Sequence, residues 1–454
     1  IGLGMIGGLS FYFAGIYWIS LYLGPAPLIA LALLEAIIFS AGCLAMVIVW
    51  RFLESRLGHR RLWLQATALA SVWSAREWVS THLPYGGFPW LRVSQALADS
   101  PLNKWAWFGG LAWLTFVGSF LGILGALAWL HRKDSGRPQW VFAGVIAAVL
   151  IAFPLVIHPS NSAEAGTIRV AAVQGNAKAG LFANEQWGSI LENHLRQTRA
   201  LMKTAQGSRA QLVVWPENAS DISPIDYPQA ASKISALVDE INKPLILGTT
   251  RQHGKRIYNS SILWLPGSKL AAVYDKKRPV PFAEYVPDRP FWHGIAPTLI
   301  DLIQRGFAPG HRSGIFKVAG TSAGVLICFE IAIDDISRDL VDQGAQLIIS
   351  QTNNADFGHS AETYQQAQLA KLQAIATGRA VVNISTVGIS EVILPDGSIA
   401  AEVPVFKAAS LVANVPLRTS ATPAQTLSVY LELAINLFAA TMCLLALLRL
   451  TRKN

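Results

Sequence analysis

Long apolar runs fill the first third of the chain and its C-terminal end, and a finer alternation of apolar and polar positions fills the stretch between them. The runs cover about 1–23, 28–50, 62–79, 105–130, 140–157 and 427–450. Each is long enough, or nearly so, to cross roughly 30 Å of hydrocarbon at about 1.5 Å per residue. The uncharged turn Gly24-Pro25-Ala26-Pro27 follows the first run. Basic loops follow the second (Arg51, Arg56, His59, Arg60, Arg61), the fourth (His131-Arg132-Lys133) and the last (Thr451-Arg452-Lys453). Lys and Arg concentrate on the cytoplasmic side, so these loops are expected there. The loop 80–104 and residues 159–420 then face the opposite side. The third run carries Arg76 and Glu77. Ionisable groups at such depth mark function or pair off inside a helical bundle.

From 159 to 420 the period changes. Short Val- and Ile-rich segments read as strands at 168–173, 212–215, 245–248, 325–328, 347–350, 380–384 and 390–394. Residues 261–265 and 270–274 flank Pro266-Gly267 as a hairpin. Helices are expected over 186–206, 231–242, 335–343 and 361–378. Strands alternating with amphipathic helices predict a layered α/β domain. The organisation expected is a membrane helical domain over 1–158, an extracytoplasmic α/β domain over 159–420, and a final membrane helix with a basic tail over 421–454.

Composition agrees with this division. The 454 residues are 52% hydrophobic and only 14% charged, with 15 tryptophans. Mean hydropathy is +0.37. An ordinary soluble domain is about a quarter charged. The net charge of +9 reflects basic residues beside apolar runs, so topology accounts for it and nucleic-acid binding is not expected. Cys43, Cys328 and Cys443 form neither a disulfide framework nor a metal-binding CxxC pair, and no metal or other cofactor is expected. With Ile1 in place of Met, a fragment or a processed form is expected.

Candidate chemistry gathers at three strand ends. Cys328 is the single cysteine outside the apolar runs, and it ends the strand Val325-Leu326-Ile327. Alone, it reads more readily as a small core residue than as a nucleophile. Trp215-Pro216-Glu217 stops a strand and leaves a carboxylate at its C-terminal edge, where sites in such sheets lie. Tyr274-Asp275-Lys276 opens a proline-rich segment. A carboxylate, an ammonium and a thiol suffice for acyl transfer: base, oxyanion partner and nucleophile. The nine histidines show no spacing that pairs one with Cys328.

These residues, in this order, resemble the nitrilase (carbon–nitrogen hydrolase) superfamily. With GGFPWL at 86–91, QGN at 174–176, WPE at 215–217 and VPFAEYVP at 280–287, the chain is similar to the apolipoprotein N-acyltransferase family. The resemblance implies an αββα sandwich inserted between transmembrane helices, with further helices before Ile1. It implies Cys328 as nucleophile, Glu217 as general base and acid, and Lys276 as the oxyanion-stabilising cation. Glu284, Glu330 and Asn259 match site-supporting positions, although Asn259 reads equally as a turn residue. Phe329 stands where the family often has Tyr, and Asp356 stands where it has Trp in Asn353-Asn354-Ala355-Asp356-Phe357-Gly358. The stretch 177–182 also departs from the family pattern. The implied partners are a phospholipid acyl donor, a diacylglyceryl-modified apolipoprotein acceptor and the bilayer of the bacterial inner membrane. Loops 86–91 and 281–292, rich in Phe, Trp and Pro, are expected at the membrane interface. The same trio also suits a membrane-tethered amidase with water as the second nucleophile. A non-catalytic membrane scaffold is the third class, and it predicts a broken trio.

Overall fold

The computed structural model describes residues 1–58, 61–132, 137–178, 186–303 and 306–451. Part of the 177–182 stretch and the basic positions 59–60, 133 and 452–453 lie outside the described residues. The chain divides into two compact units. One comprises 1–17, 26–159 and 421–454; the other comprises 18–25 and 160–420.

In chain order the helices are α1 (Gly2–Gly15), α2 (Ile19–Leu23), α3 (Pro25–Leu57), α4 (Leu62–His82), α5 (Val93–Ala96), α6 (Trp105–Leu130), α7 (Arg137–Val156), α8 (Ser189–Met202), α9 (Pro228–Ile241), α10 (Arg289–Ile295), α11 (Pro297–Leu302), α12 (Asp334–Asp342), α13 (Glu362–Thr377) and α14 (Pro423–Thr451). Among the described residues α3, the segment 101–130 containing α6, and α14 are long and apolar enough to cross a membrane. The first apolar run is not one helix. α1 ends at Gly15, and 18–25 leave the helical unit as a short strap carrying α2. Gly24, at φ 79°, and Pro25 then start α3 afresh.

Inside the helical unit the buried charges of Glu77 and Arg76 have partners. Glu77 Oε1 accepts the Thr115 hydroxyl at 2.6 Å, and its Oε2 accepts the Val93 amide at 3.0 Å. Arg92 Nε lies 3.6 Å from the same carboxylate. Arg76 donates to the Tyr12 hydroxyl at 3.1 Å and lies over the Trp73 ring at 4.3 Å. α6 turns at Gly110, whose φ is 77° and where a Cβ would come within 2.9 Å of Ser428.

The second unit is built on two six-stranded sheets. Its strands are β1 (Thr167–Gln174), β2 (Leu212–Val214), β3 (Leu245–His253), β4 (Arg256–Leu265), β5 (Lys269–Asp275), β6 (Ile315–Val318), β7 (Thr321–Ile327), β8 (Leu347–Thr352), β9 (Val381–Ser385), β10 (Ser390–Ile393), β11 (Ile399–Val403) and β12 (Ala409–Pro416). The sheet orders are β12-β1-β2-β3-β4-β5 and β11-β10-β9-β8-β7-β6. Alternate residues explain the layering. Val170, Leu212, Val214, Ile246 and Leu263 of the first sheet interdigitate with Val325, Ile327, Leu347, Ile349 and Val382 of the second. On the outer face of the first sheet, Ala171, Val213, Leu245 and Ile262 pack against Leu195 of α8 and Ile234 and Leu237 of α9. Strands covered on both faces read as continuous apolar runs, as in β7. The αββα sandwich implied by the family resemblance is the fold observed.

Two details differ from the sequence expectation. The strand expected over 325–328 ends at Ile327, and Cys328 opens a 3-10 turn at φ 55°. β6, β11 and β12 are additional to the expected strands. They carry mixed or exposed faces at sheet edges, where apolar periodicity is weakest.

Candidate active site

Parallel pairing sets the place. β2 lies parallel to β1 and β3, and β7 lies parallel to β8, so Glu217 and Cys328 leave the C-terminal ends of strands in facing sheets. Two bonds tie the sheets together there. Gln351 donates to the Trp215 carbonyl at 2.6 Å, and Thr386 donates to the Glu217 carbonyl at 3.1 Å. Gly248 is required beside them, because a Cβ would meet the Glu217 Cα at 2.5 Å.

Lys276 follows β5 and is 1% exposed. Its Nζ lies 2.8 Å from Glu284 Oε2 and 3.9 Å from Glu217 Oε1. Asn259, in the middle of β4, joins the two acids through one amide nitrogen: Nδ2 donates to Glu217 Oε1 at 2.7 Å and to Glu284 Oε1 at 3.0 Å. It is therefore a ladder residue aimed into the site, not a turn residue. The loop 280–285 folds back on itself, with Val280 N donating to Glu284 Oε2 at 2.7 Å. Beneath it the Arg251–Asp275 pair, at 2.8 and 2.6 Å, anchors the end of β5.

Glu330 occupies a different corner. Its carboxylate is fully buried and accepts from Ile327 N at 2.9 Å, Lys277 N at 2.7 Å, Arg278 N at 3.2 Å and the Tyr274 hydroxyl at 2.9 Å. It ties the turn after β7 to the segment that carries Lys276. Phe329, between Cys328 and Glu330, is half-buried.

The electrostatics follow from burial. Desolvation pushes the Glu217 carboxyl up to about 7, against the pull of Lys276 and with a push from Glu284. Burial and the Glu217 charge hold the Cys328 thiol well above its ordinary value, with Lys276 opposing. Burial pulls Lys276 down, but Glu284, Cys328 and Glu217 together outweigh it, and the ammonium stays charged. The resting site thus holds a protonated thiol, a lysinium and a carboxyl poised near neutrality.

Sequence reasoning missed the other side of the sulfur. Gln366 of α13 reaches Cys328 Sγ with its amide nitrogen at 3.7 Å. Asn354 holds it there, donating to Gln366 Oε1 at 2.8 Å and to Glu362 Oε2 at 2.6 Å. Glu362 is 2% exposed, and burial pushes its carboxyl up to about 8. The signal lay in a polar helix whose buried face carries Glu and Gln, residues that rarely go inside without partners.

The chain has relatives along most of its length. The model of the carbon–nitrogen hydrolase family matches residues 169–423, and that of the apolipoprotein N-acyltransferase N-terminal domain matches 1–124. An apolipoprotein N-acyltransferase of Mycolicibacterium smegmatis is 32% identical over 98% of this chain and 77% of its own length. Another, from Vibrio parahaemolyticus, is 27% identical over 96% of this chain and 87% of its own. A solved Nesterenkonia amidase of the nitrilase superfamily superposes at TM-score 0.45 with 18% identity, over 61% of this chain and 99% of that one. On the two family models and the Mycolicibacterium smegmatis relative, the chain belongs to the apolipoprotein N-acyltransferase family of carbon–nitrogen hydrolases.

Proposed function

We propose that this chain is a membrane N-acyltransferase that moves a fatty acyl group from a phospholipid to the α-amino group of the lipidated N-terminal cysteine of an apolipoprotein. Cys328 Sγ attacks the ester carbonyl while Glu217 takes the thiol proton. The Lys276 ammonium, held by Glu284, stabilises the tetrahedral oxyanion. The C–O bond breaks, Glu217 returns the proton to the leaving alcohol, and a lysophospholipid departs from the thioester. The acceptor amine then attacks the thioester carbonyl and Glu217 removes a proton from it. The C–S bond breaks, and the proton passes to sulfur to restore the thiol.

The observation that carries this reading is the Glu217–Lys276–Cys328 set, its two charged members buried, in a chain whose described residues include three helices apolar enough to cross a bilayer. A donor and an acceptor that are both lipids need their enzyme at the membrane, where they are concentrated. Residues 1–158 and 421–454 form the membrane part of this enzyme, in the bacterial cytoplasmic membrane, with 159–420 on its outer face. Phe291, Ile295 and Leu302, each more than half exposed on α10 and α11, suit a surface that meets lipid.

The test is the mass of the purified protein after incubation with phospholipid vesicles. A fatty-acyl adduct on Cys328, absent in Cys328→Ser and discharged by amine acceptor faster than by water, is expected. Lys276→Ala slows adduct formation by about a hundredfold, within the range for losing an oxyanion partner, and Lys277→Ala leaves it unchanged. Wild-type protein that never carries the adduct excludes the acyltransferase.

A further inference from the structure

Among the described residues, every carboxylate around the nucleophile has a partner except one. Glu217 has Asn259 and Lys276, Glu284 has Val280 N, Asn259 and Lys276, and Glu362 has Asn354. Asp356 sits in the 3-10 turn after β8, half-buried, and it accepts no hydrogen bond and meets no cation among the described residues. Burial alone pushes its carboxyl up. It lies two residues beyond Asn354, which positions Gln366 against the sulfur.

The strap 18–25 faces this turn. Tyr22 packs on Phe357 with ring centroids 5.8 Å apart, and Trp18 meets the same ring edge-on at 5.0 Å. The Trp18 indole N–H donates to Gln365 of α13 at 2.9 Å. The Tyr22 hydroxyl donates to the Ala283 carbonyl at 3.4 Å, next to Glu284. The phenol stands in the field of Asp356 first, then of Glu284, Glu217 and Lys276. Tyr22 therefore bridges the two loops that bound the site, with Asp356 on the same rim.

We propose that Asp356, on the rim that Tyr22 and Phe357 share, is the subsite that receives the primary ammonium of the acceptor. This rests on the acyltransferase reading above. A half-buried carboxylate without a counter-charge is costly, and a cation removes that cost. Aromatic rings close to the carboxylate add attraction for an ammonium. Lys276 is already shared between Glu217 and Glu284, so it does not serve as the counter-charge of Asp356. An α-amino group titrates at about 8, so the acceptor arrives mostly as ammonium. It is captured at Asp356 and loses one proton to water. As the N–C bond forms, it gives a second proton to Glu217, which passes it to sulfur. A primary ammonium also occurs in an ethanolamine headgroup, and the experiment separates the two sources.

The experiment compares the full-length wild type with Asp356→Asn in two stages. First, thioester formation is followed by mass from phosphatidylglycerol vesicles, which carry no amine, and from phosphatidylethanolamine vesicles. Second, the thioester is discharged by a diacylglyceryl-cysteine peptide or by hydroxylamine, which is neutral at pH 7. The expected result is unchanged acylation from both lipids, an approximately tenfold rise in KM for the peptide amine, unchanged discharge by hydroxylamine, and partial recovery in Asp356→Glu. An unchanged KM for the peptide overturns the proposal. So does equal slowing with hydroxylamine, or a defect confined to the ethanolamine lipid. If the wild type forms no thioester at all, it is the acyltransferase reading that fails.

Discussion

The helical unit and the α/β unit both bury charge, and they treat it in opposite ways. In the helical unit Glu77 meets Thr115, Val93 and Arg92, Glu35 accepts from Ser80 at 2.5 Å, and Arg76 lies against Tyr12 and Trp73. Glu77 has three partners, one of them a cation, Glu35 and Arg76 meet neutral ones, and all of these contacts hold helices and the 86–93 loop. At the ends of β2, β5 and β7 the ratio is different. Glu217 and Glu284 share one lysine, Glu362 is buried with a single amide donor, and Asp356 has none among the described residues. Incomplete pairing keeps proton affinity near neutrality, which acid–base chemistry needs and structural pairing does not. Glu330 shows that the α/β unit makes the structural kind too, since four donors surround its carboxylate.

The contrast is broken most severely at Glu217. Glu217→Gln keeps the size and the Asn259 contact but removes the base, so thioester formation falls by about a thousandfold. The protein remains folded. Above pH 7 it is slightly more stable than the wild type, because a carboxyl raised to about 7 from an ordinary 4.5 costs stability as pH rises through that window. Thioester kinetics and thermal unfolding of the same samples check both parts. A variant that loses stability at pH 8 would place Glu217 with Glu77 among the structural charges.

The pH profile gives a smaller and more graded effect. Glu217 must be ionised to accept the thiol proton, so thioester formation rises with pH through a one-proton limb near 7. Between pH 6 and 8 the rate grows about tenfold, as a single titration centred there requires. A flat profile below pH 7 would mean that another group is the base.

The strand-end residues are legible because their chemistry and their punctuation coincide in sequence. Pro216 stops β2 before Glu217, and a thiol ends the apolar run of β7. What is not legible depends on distance along the chain. Nothing local joins Trp18 to Gln365, 347 positions apart, so the sequence presents the strap as part of an apolar run. Gln366, 38 positions from Cys328, looks like any polar helix residue. The positive φ of Cys328 is equally hidden: the turn that holds it is tied by Glu330 to Lys277 N and Arg278 N, a contact between separate segments.

Glu77 supplies the mildest test, because its predicted effect on chemistry is nil. In Glu77→Gln the new amide still offers a carbonyl oxygen to Thr115 or Val93, but it brings no charge to Arg92, which is 7% exposed. Withdrawing the carboxylate from this buried guanidinium costs about 1–3 kcal/mol of stability, the usual range for a buried hydrogen-bonded group that loses its partner. Folded Glu77→Gln protein should form the Cys328 thioester at the wild-type rate, since the acyl chemistry uses none of these groups. Replacing Arg92 as well, in Glu77→Gln with Arg92→Met, removes the guanidinium that the carboxylate served and recovers most of the lost stability. Thermal unfolding in detergent, paired with the adduct assay on the same preparations, reads both quantities. Full stability with slowed thioester formation in Glu77→Gln is the outcome that would dissolve the division, because it would make a matched charge of the helical unit a participant in the chemistry.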